Sequence, residues 1–212
     1  MPRDKWNALT LTFIISAGVS VLLMPFAFFL VVSFSPNYIH ALSLAWVESK
    51  VIDGPTQQLI TRKISVGPAG GCMWYNSSIS KCDLGVPYVP SSEYLHLAPN
   101  QNVTSTFPVA MGRALPLNHV VVILMGLCLT VALLDIFFFK GGIALYIIYF
   151  SGFMLWIVYF LESTYVGTLS HRLDKIYEHE DWEYHAGNGF ILITVATFVA
   201  SIFLCGGGAA GD

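Results

Sequence analysis

Apolar positions run almost unbroken from Trp6 to Phe34, from Leu117 to Phe139, from Ile143 to Leu161 and from Gly189 to Cys205. A hydrocarbon core of roughly 30 Å takes about 20 apolar residues in a helix, so three of these stretches are long enough to cross it and the fourth is borderline. A backbone polar group left bare in hydrocarbon is costly, and each stretch is therefore expected to be helical. Only Lys140, Gly141 and Gly142 separate the second and third stretches, which predicts an antiparallel hairpin with a tight turn. The layout is that of a mainly α membrane protein, a four-helix transmembrane bundle with spans at 6–34, 117–139, 143–162 and 189–205. Around them lie an N-terminus over 1–5, a long loop over 35–116, the turn over 140–142, a second loop over 163–188 and a tail over 206–212.

The long polar segment carries its own pattern. Leu42 to Val47, Gln57 to Val66 and Cys72 to Tyr75 read as strands, separated by Gly, Pro, Asn and Ser clusters. They predict a small antiparallel sheet, and Val109 to Leu115 a short interfacial helix. Past the third span, Val166, Leu169, Leu173, Ile176 and Tyr177 fall on one helical stripe, so that helix should continue beyond the membrane and pack against the sheet. The acidic run Glu178 to Glu183 reads as a solvated turn with Trp182 as interfacial anchor.

Composition strengthens the membrane reading. The 212 residues are 55% hydrophobic and 11% charged, with a mean hydropathy of +0.66, too apolar for a soluble domain of this size. The first run is longer than the 7 to 15 residues of a typical secretory core and ends at Ser35-Pro36 without a small-residue cleavage site, which marks an uncleaved anchor. Arg3, Lys5 and Lys140 give a weak positive-inside bias. Two glycosylation sequons, at Asn76 and Asn102, lie in the long loop and place it outside, with both termini cytoplasmic. Cys72 and Cys82 then share an oxidising compartment, where a disulfide closing their short loop contributes roughly 2 to 3 kcal/mol. Cys128 and Cys205 read as small buried residues, with palmitoylation of Cys205 as the minor alternative.

The string Gly67-Pro68-Ala69-Gly70-Gly71-Cys72, followed by Cys82, resembles the Gly-apolar-apolar-Gly-x-Cys…Cys signature of fungal claudin-like tetraspans. These include the PalI pH-response family, its eisosome-associated relatives and the mating-related calcium-influx regulators. The layout is similar over almost the whole chain, and Gly67, Gly70, Gly71, Cys72 and Cys82 are the residues that carry the motif. Three features depart from it: Trp74 follows the first cysteine instead of preceding it, Pro68 occupies an apolar motif position, and the tail after Gly206 is minimal. The resemblance implies a plasma-membrane glycoprotein concerned with ambient pH or membrane organisation, and equally permits a part in calcium influx during mating or cell fusion.

Candidate chemistry is sparse. There is no Gly-x-Ser-x-Gly, His-Glu-x-x-His, phosphate loop or dinucleotide fingerprint, so no catalytic residues, cofactor or metal ligands are expected. Asp135 and Glu162 are the acidic residues that fall within the four spans; the expectation is that they snorkel or pair at helix ends, Asp135 with Lys140. All six histidines fall outside or at the outer membrane edge. His171, His179 and His185, the last two amid acidic residues, are candidates for a pH-responsive loop, with an ordinary wet surface as the alternative. Ser16, Ser20, Gly126, Gly152, Ala196 and Ala200 are small notches for helix packing and for homo-oligomers. The expected function is a non-enzymatic organiser or accessory subunit of a cell-surface complex. Its expected partners are the lipid bilayer and a membrane protein such as a receptor, channel or wall synthase, and not nucleic acid. The alternative is a regulator or subunit of a calcium-influx or other transport system.

Overall fold

The computed structural model describes residues 20, 23–52, 59–96, 103–139, 143–176 and 182–207. The expectations for residues 1–5, most of the first apolar run, the 140–142 turn with Lys140, Asn102, His179, the side chain of Cys205 and residues 208–212 lie outside the described residues.

Helices and one antiparallel sheet share the chain. The helices are α1 (Leu23–Ser33), the single turn α2 (Val109–Gly112), α3 (Leu117–Phe139), α4 (Ala144–Ile176) and α5 (Asn188–Gly207). α3 begins just after Pro116, where a missing N–H is harmless, and ends just short of Lys140 and the Gly141-Gly142 pair. The stretches Val109–Asp135 and Tyr146–Lys175 are long and apolar enough to cross a membrane, and only 28% of the most apolar 18-residue window in each is buried. Their exposed residues are large and apolar: Val120, Ile123, Leu127 and Leu134 on α3, Phe150, Phe153 and Phe160 on α4. A core helix of a water-soluble protein hides most of such a surface instead of presenting it.

The sheet runs β4-β3-β2-β1-β5, from Ala45–Ile52 (β1), Leu59–Gly67 (β2), Gly70–Tyr75 (β3), Ser78–Asp83 (β4) and Trp182–Ala186 (β5). The first four form successive hairpins; β5 follows α4 and pairs with the free side of β1, from Ala45 opposite Ala186 to Ser49 opposite Trp182. This corrects the reading of the acidic run. Trp182 and Glu183 open a strand, and Trp182 is 3% exposed, a core residue and not an interfacial anchor. The edge of β1 left bare by β2 needs hydrogen-bond partners, and the alternating Trp182-Glu183-Tyr184-His185 supplies them with an apolar face inward.

Side-chain alternation gives the sheet two unlike faces. Met73, Ile64, Val47 and Tyr184 lie across one face and merge with Leu169 and Leu173 of α4 and Ile193 of α5 in a single hydrophobic cluster. The stripe read in the sequence is present: Val166, Leu169 and Leu173 are buried, and α4 continues to Ile176. Phe29 and Val32 of α1 join the same cluster, and Phe26 packs over Gly126 of α3. Sheet and helices therefore share one core; the opposite, open face of the sheet carries Trp46, Lys63, Ser65 and Cys72 and is bordered by the residues after α1 and the start of α5.

Candidate functional site

The glycine-cysteine motif forms a seat for the chain leaving α1. Gly67 and Gly70 face each other across the Pro68-Ala69 turn, and residues 35 to 37 lie across that turn as a strap. Asn37 Nδ2 donates to the Ala69 carbonyl at 3.3 Å and to the Asp83 carbonyl at 3.2 Å, tying the strap to the β2–β3 turn and to the end of β4. A Cβ on Gly67 would lie 2.5 Å from the Ser35 carbonyl oxygen, and one on Gly71 would overlap the Tyr88 ring. Burial pushes the Tyr88 hydroxyl well above the usual phenol range, with the nearby Asp83 charge adding to it, so the ring is held neutral as a lid on this row.

Cys72 and Cys82 stand directly opposite each other on β3 and β4 and form the disulfide. Pro36 O, Asn37 Oδ1 and His40 Nδ1 surround Cys72 Sγ at 3.8, 3.5 and 4.0 Å, and His40 Nδ1 donates to the Pro36 carbonyl at 2.7 Å. The ligand atoms of His40, Cys72 and Cys82 lie within 4.8 Å of one another, but sulfurs joined in a disulfide are not thiolates and offer no metal ligand of that kind.

On the open face, Trp46 sits between two neighbours. The His185 ring stacks on it at 3.9 Å, and Lys63 Nζ lies 4.3 Å from its centroid and 5.6 Å from that of Trp74. Glu48, opposite Lys63 in register, is engaged by Lys50 at 3.0 Å, and Glu183 approaches His185 Nε2 at 3.7 Å. Of the three candidate histidines, His185 belongs to this aromatic row and His171 is exposed on α4. Trp46, Lys63 and Ser65 carry no motif. Their only sequence signal is strand parity, which groups Lys63 with Ser65 on one face.

Asn76 occupies the first position of the two-residue turn between β3 and β4, at φ 50° with Ser77 at 65° and exposed to solvent. Both angles are positive, the geometry in which Asn is favoured for hairpin reasons alone. The same exposure leaves the amide open to glycan transfer. Asn76→Gln should speed the band of the expressed protein on a denaturing gel by one glycan's mobility, a shift that amidase digestion of the parent chain should equal or exceed. An unchanged band restricts Asn76 to its turn role.

Polar groups inside the helices divide into two kinds. The hydroxyls of Ser33, Thr130, Ser151, Thr194 and Thr197 each donate to the carbonyl four residues earlier, at 2.8–2.9 Å. Trp156 Nε1 donates to Ser201 Oγ at 2.8 Å, joining α4 to α5. Both acidic residues are buried instead of reaching outward, and the expected pairing of Asp135 with Lys140 lies outside the described residues. Asp135 is 2% exposed, and its Oδ2 accepts the Ile143 N–H at 2.8 Å, so a side chain of α3 caps the start of α4. Glu162 is 1% exposed, and neither of its carboxyl oxygens has a hydrogen-bond partner among the described residues; the Asn118 amide shares that condition.

Asp135→Ala should remove the cross-hairpin cap and cost about 1 kcal/mol, a fall of roughly 2–4 °C in the melting midpoint. Asp135→Asn keeps an acceptor and should hold most of the stability. Equal losses in both variants would mean that the cap is not what Asp135 contributes.

Comparison with protein-family models and with curated proteins gives no match.

Proposed function

We propose that the chain is a four-span plasma-membrane protein with both termini in the cytoplasm and its sheet outside. It acts without chemistry of its own, as an organiser or accessory subunit of a cell-surface complex. One observation carries this reading: β5, from beyond α4, completes the sheet begun by β1–β4, and that sheet shares its core with helices whose other faces are apolar and exposed. Two loops thus become one disulfide-fastened platform on a base suited to lipid. The similarity of Gly67, Gly70, Gly71, Cys72 and Cys82 to the PalI-group signature agrees with that role, because these residues hold the platform together.

Crosslinking in native membranes followed by affinity purification tests the reading. A dominant receptor or wall synthase among the co-purifying proteins is the expected result. A channel as dominant partner would turn the role towards transport, and a clear conductance from the purified chain alone in liposomes would overturn it. Impermeant thiol reagents on intact cells, applied after mild reduction, should reach Cys72 and Cys82. If they react only after the membrane is opened, the sheet faces the cytoplasm and the orientation is reversed.

A further inference from the structure

A cavity of about 370 Å³ opens where the open face of the sheet meets the start of α5, lined by His40, Ser43, Trp46, Lys63, Ser65 and His185 and closed by Asn188. We propose that this cavity binds an oxyanion, a phosphate or carboxylate group on a small molecule or on a lipid headgroup.

Three features that arise independently converge there. Ser65 is 2% exposed, yet its Oγ has no hydrogen-bond partner among the described residues although it lines the cavity. A buried hydroxyl without a partner is costly, and rotation of the Ser65 side chain towards the cavity would let a ligand oxygen satisfy it. The Lys63 ammonium is held over Trp46 at 4.3 Å with no carboxylate paired to it among the described residues, since Glu48 is engaged by Lys50. The cation is therefore positioned by an indole and left open to an anion. The 20-residue helix α5 starts at Asn188, so its positive dipole end faces the same space. The N–H groups of Gly189 and Phe190 already donate to the Ser43 carbonyl, at 2.9 and 3.4 Å, so the helix contributes field and not free donors. Asn188 Nδ2 donates to the Ala41 carbonyl at 3.4 Å and holds the rim. Two negative groups flank the cation on this face: Glu48, opposite Lys63 in register and offset by Lys50 at 3.0 Å, and Glu183, 62% exposed at the side chain and lying against His185.

The volume suits a group of monosaccharide or headgroup size, near the lower end of small-molecule sites. On the four-span reading the start of α5 marks the outer membrane surface, so a phospholipid phosphate and a soluble phosphate are two sources of the same chemistry. The oxyanion site itself does not rest on that reading.

The test uses the full chain purified in a neutral detergent. Titration with inorganic phosphate should give a saturable change in tryptophan emission that disappears in Trp46→Phe, because Trp46 lines the cavity and lies against Lys63. Lys63→Met should weaken the binding at least tenfold, Ser65→Ala roughly tenfold, and Lys63→Arg should restore it. In a second arm, the chain is reconstituted in nanodiscs containing phosphatidylglycerol and phosphatidylcholine, and native mass spectrometry counts the retained anionic lipid. Lipid retention that depends on Lys63 and Ser65, with weak free-phosphate binding, identifies the headgroup as source; tight free-phosphate binding identifies a soluble ligand. If neither phosphate binding nor lipid retention changes in Lys63→Met and Ser65→Ala, while both variants keep the Cys72–Cys82 disulfide, the proposal fails.

Discussion

Gly70→Ala should dismantle the sheet at its disulfide end, at a cost of about 3 kcal/mol or more. Two penalties coincide at this position. The residue has φ +142°, a region that side-chain-bearing residues rarely enter, and its Cβ would overlap the carbonyl oxygen of Asp83 in β4. That oxygen is backbone and accepts from Asn37, so it cannot swing aside as the end of a long side chain can. Moving β4 away would separate Cys82 from Cys72 and release the strap over the Pro68-Ala69 turn. Non-reducing electrophoresis after maleimide trapping should show a large fraction of Gly70→Ala with free thiols, and its melting midpoint should fall by roughly 6–12 °C. Gly85→Ala is the control, because a Cβ there meets nothing within 4 Å. Equal behaviour of the two variants would remove the strap-and-turn account of the motif.

How much of this was legible in advance differs between the helices and the sheet. Continuous apolar runs fixed α3 to the residue and α5 to within two, because length and hydrophobicity are local properties of the sequence. Two of the five strands, β2 and β3, were visible through β-branched or aromatic residues between turn-forming clusters, whereas the strand expected over Leu42–Val47 begins at Ala45 and runs on through the polar Glu48-Ser49-Lys50 to Ile52. β4 was missed because Ser78-Ile79-Ser80-Lys81 has weak apolar alternation, being an edge strand exposed along its first half. β5 was missed for a different reason: Glu183 and the acidic residues before it outweighed the period-two pattern of Trp182, Tyr184 and their neighbours. Its partner is β1, more than 130 residues earlier, and no local window contains that pairing. The cysteine pair was readable, whereas the cavity at Lys63 and Ser65 was not. A strand's parity says which residues share a face but not which neighbouring loop will cover them.

The depth of an acidic residue was equally illegible, and Glu162 turns it into a measurement. Near the end of a predicted span, a carboxylate is expected to reach for the polar interface. At 1% exposed, with both oxygens lacking a partner among the described residues, Glu162 does not do so. Ionised or neutral, a carboxyl there leaves hydrogen-bonding capacity unmet, which costs on the order of 1–3 kcal/mol in proteins. Leucine has comparable bulk and no polar atoms, so Glu162→Leu should stabilise the purified chain and raise its melting midpoint by roughly 2–12 °C. Glu162→Gln, which keeps the hydrogen-bonding atoms, should leave the midpoint near that of the parent. This ordering is the reverse of what a buried carboxylate with a bound cation or polar partner would give, where leucine would be the most damaging of the three side chains. A fall in midpoint for Glu162→Leu would therefore show that the carboxylate is occupied in the folded protein. A rise would identify Glu162 as a residue retained at a cost to stability, and such a residue in a helix with lipid-suited faces belongs among the first positions to vary in assays of partner binding.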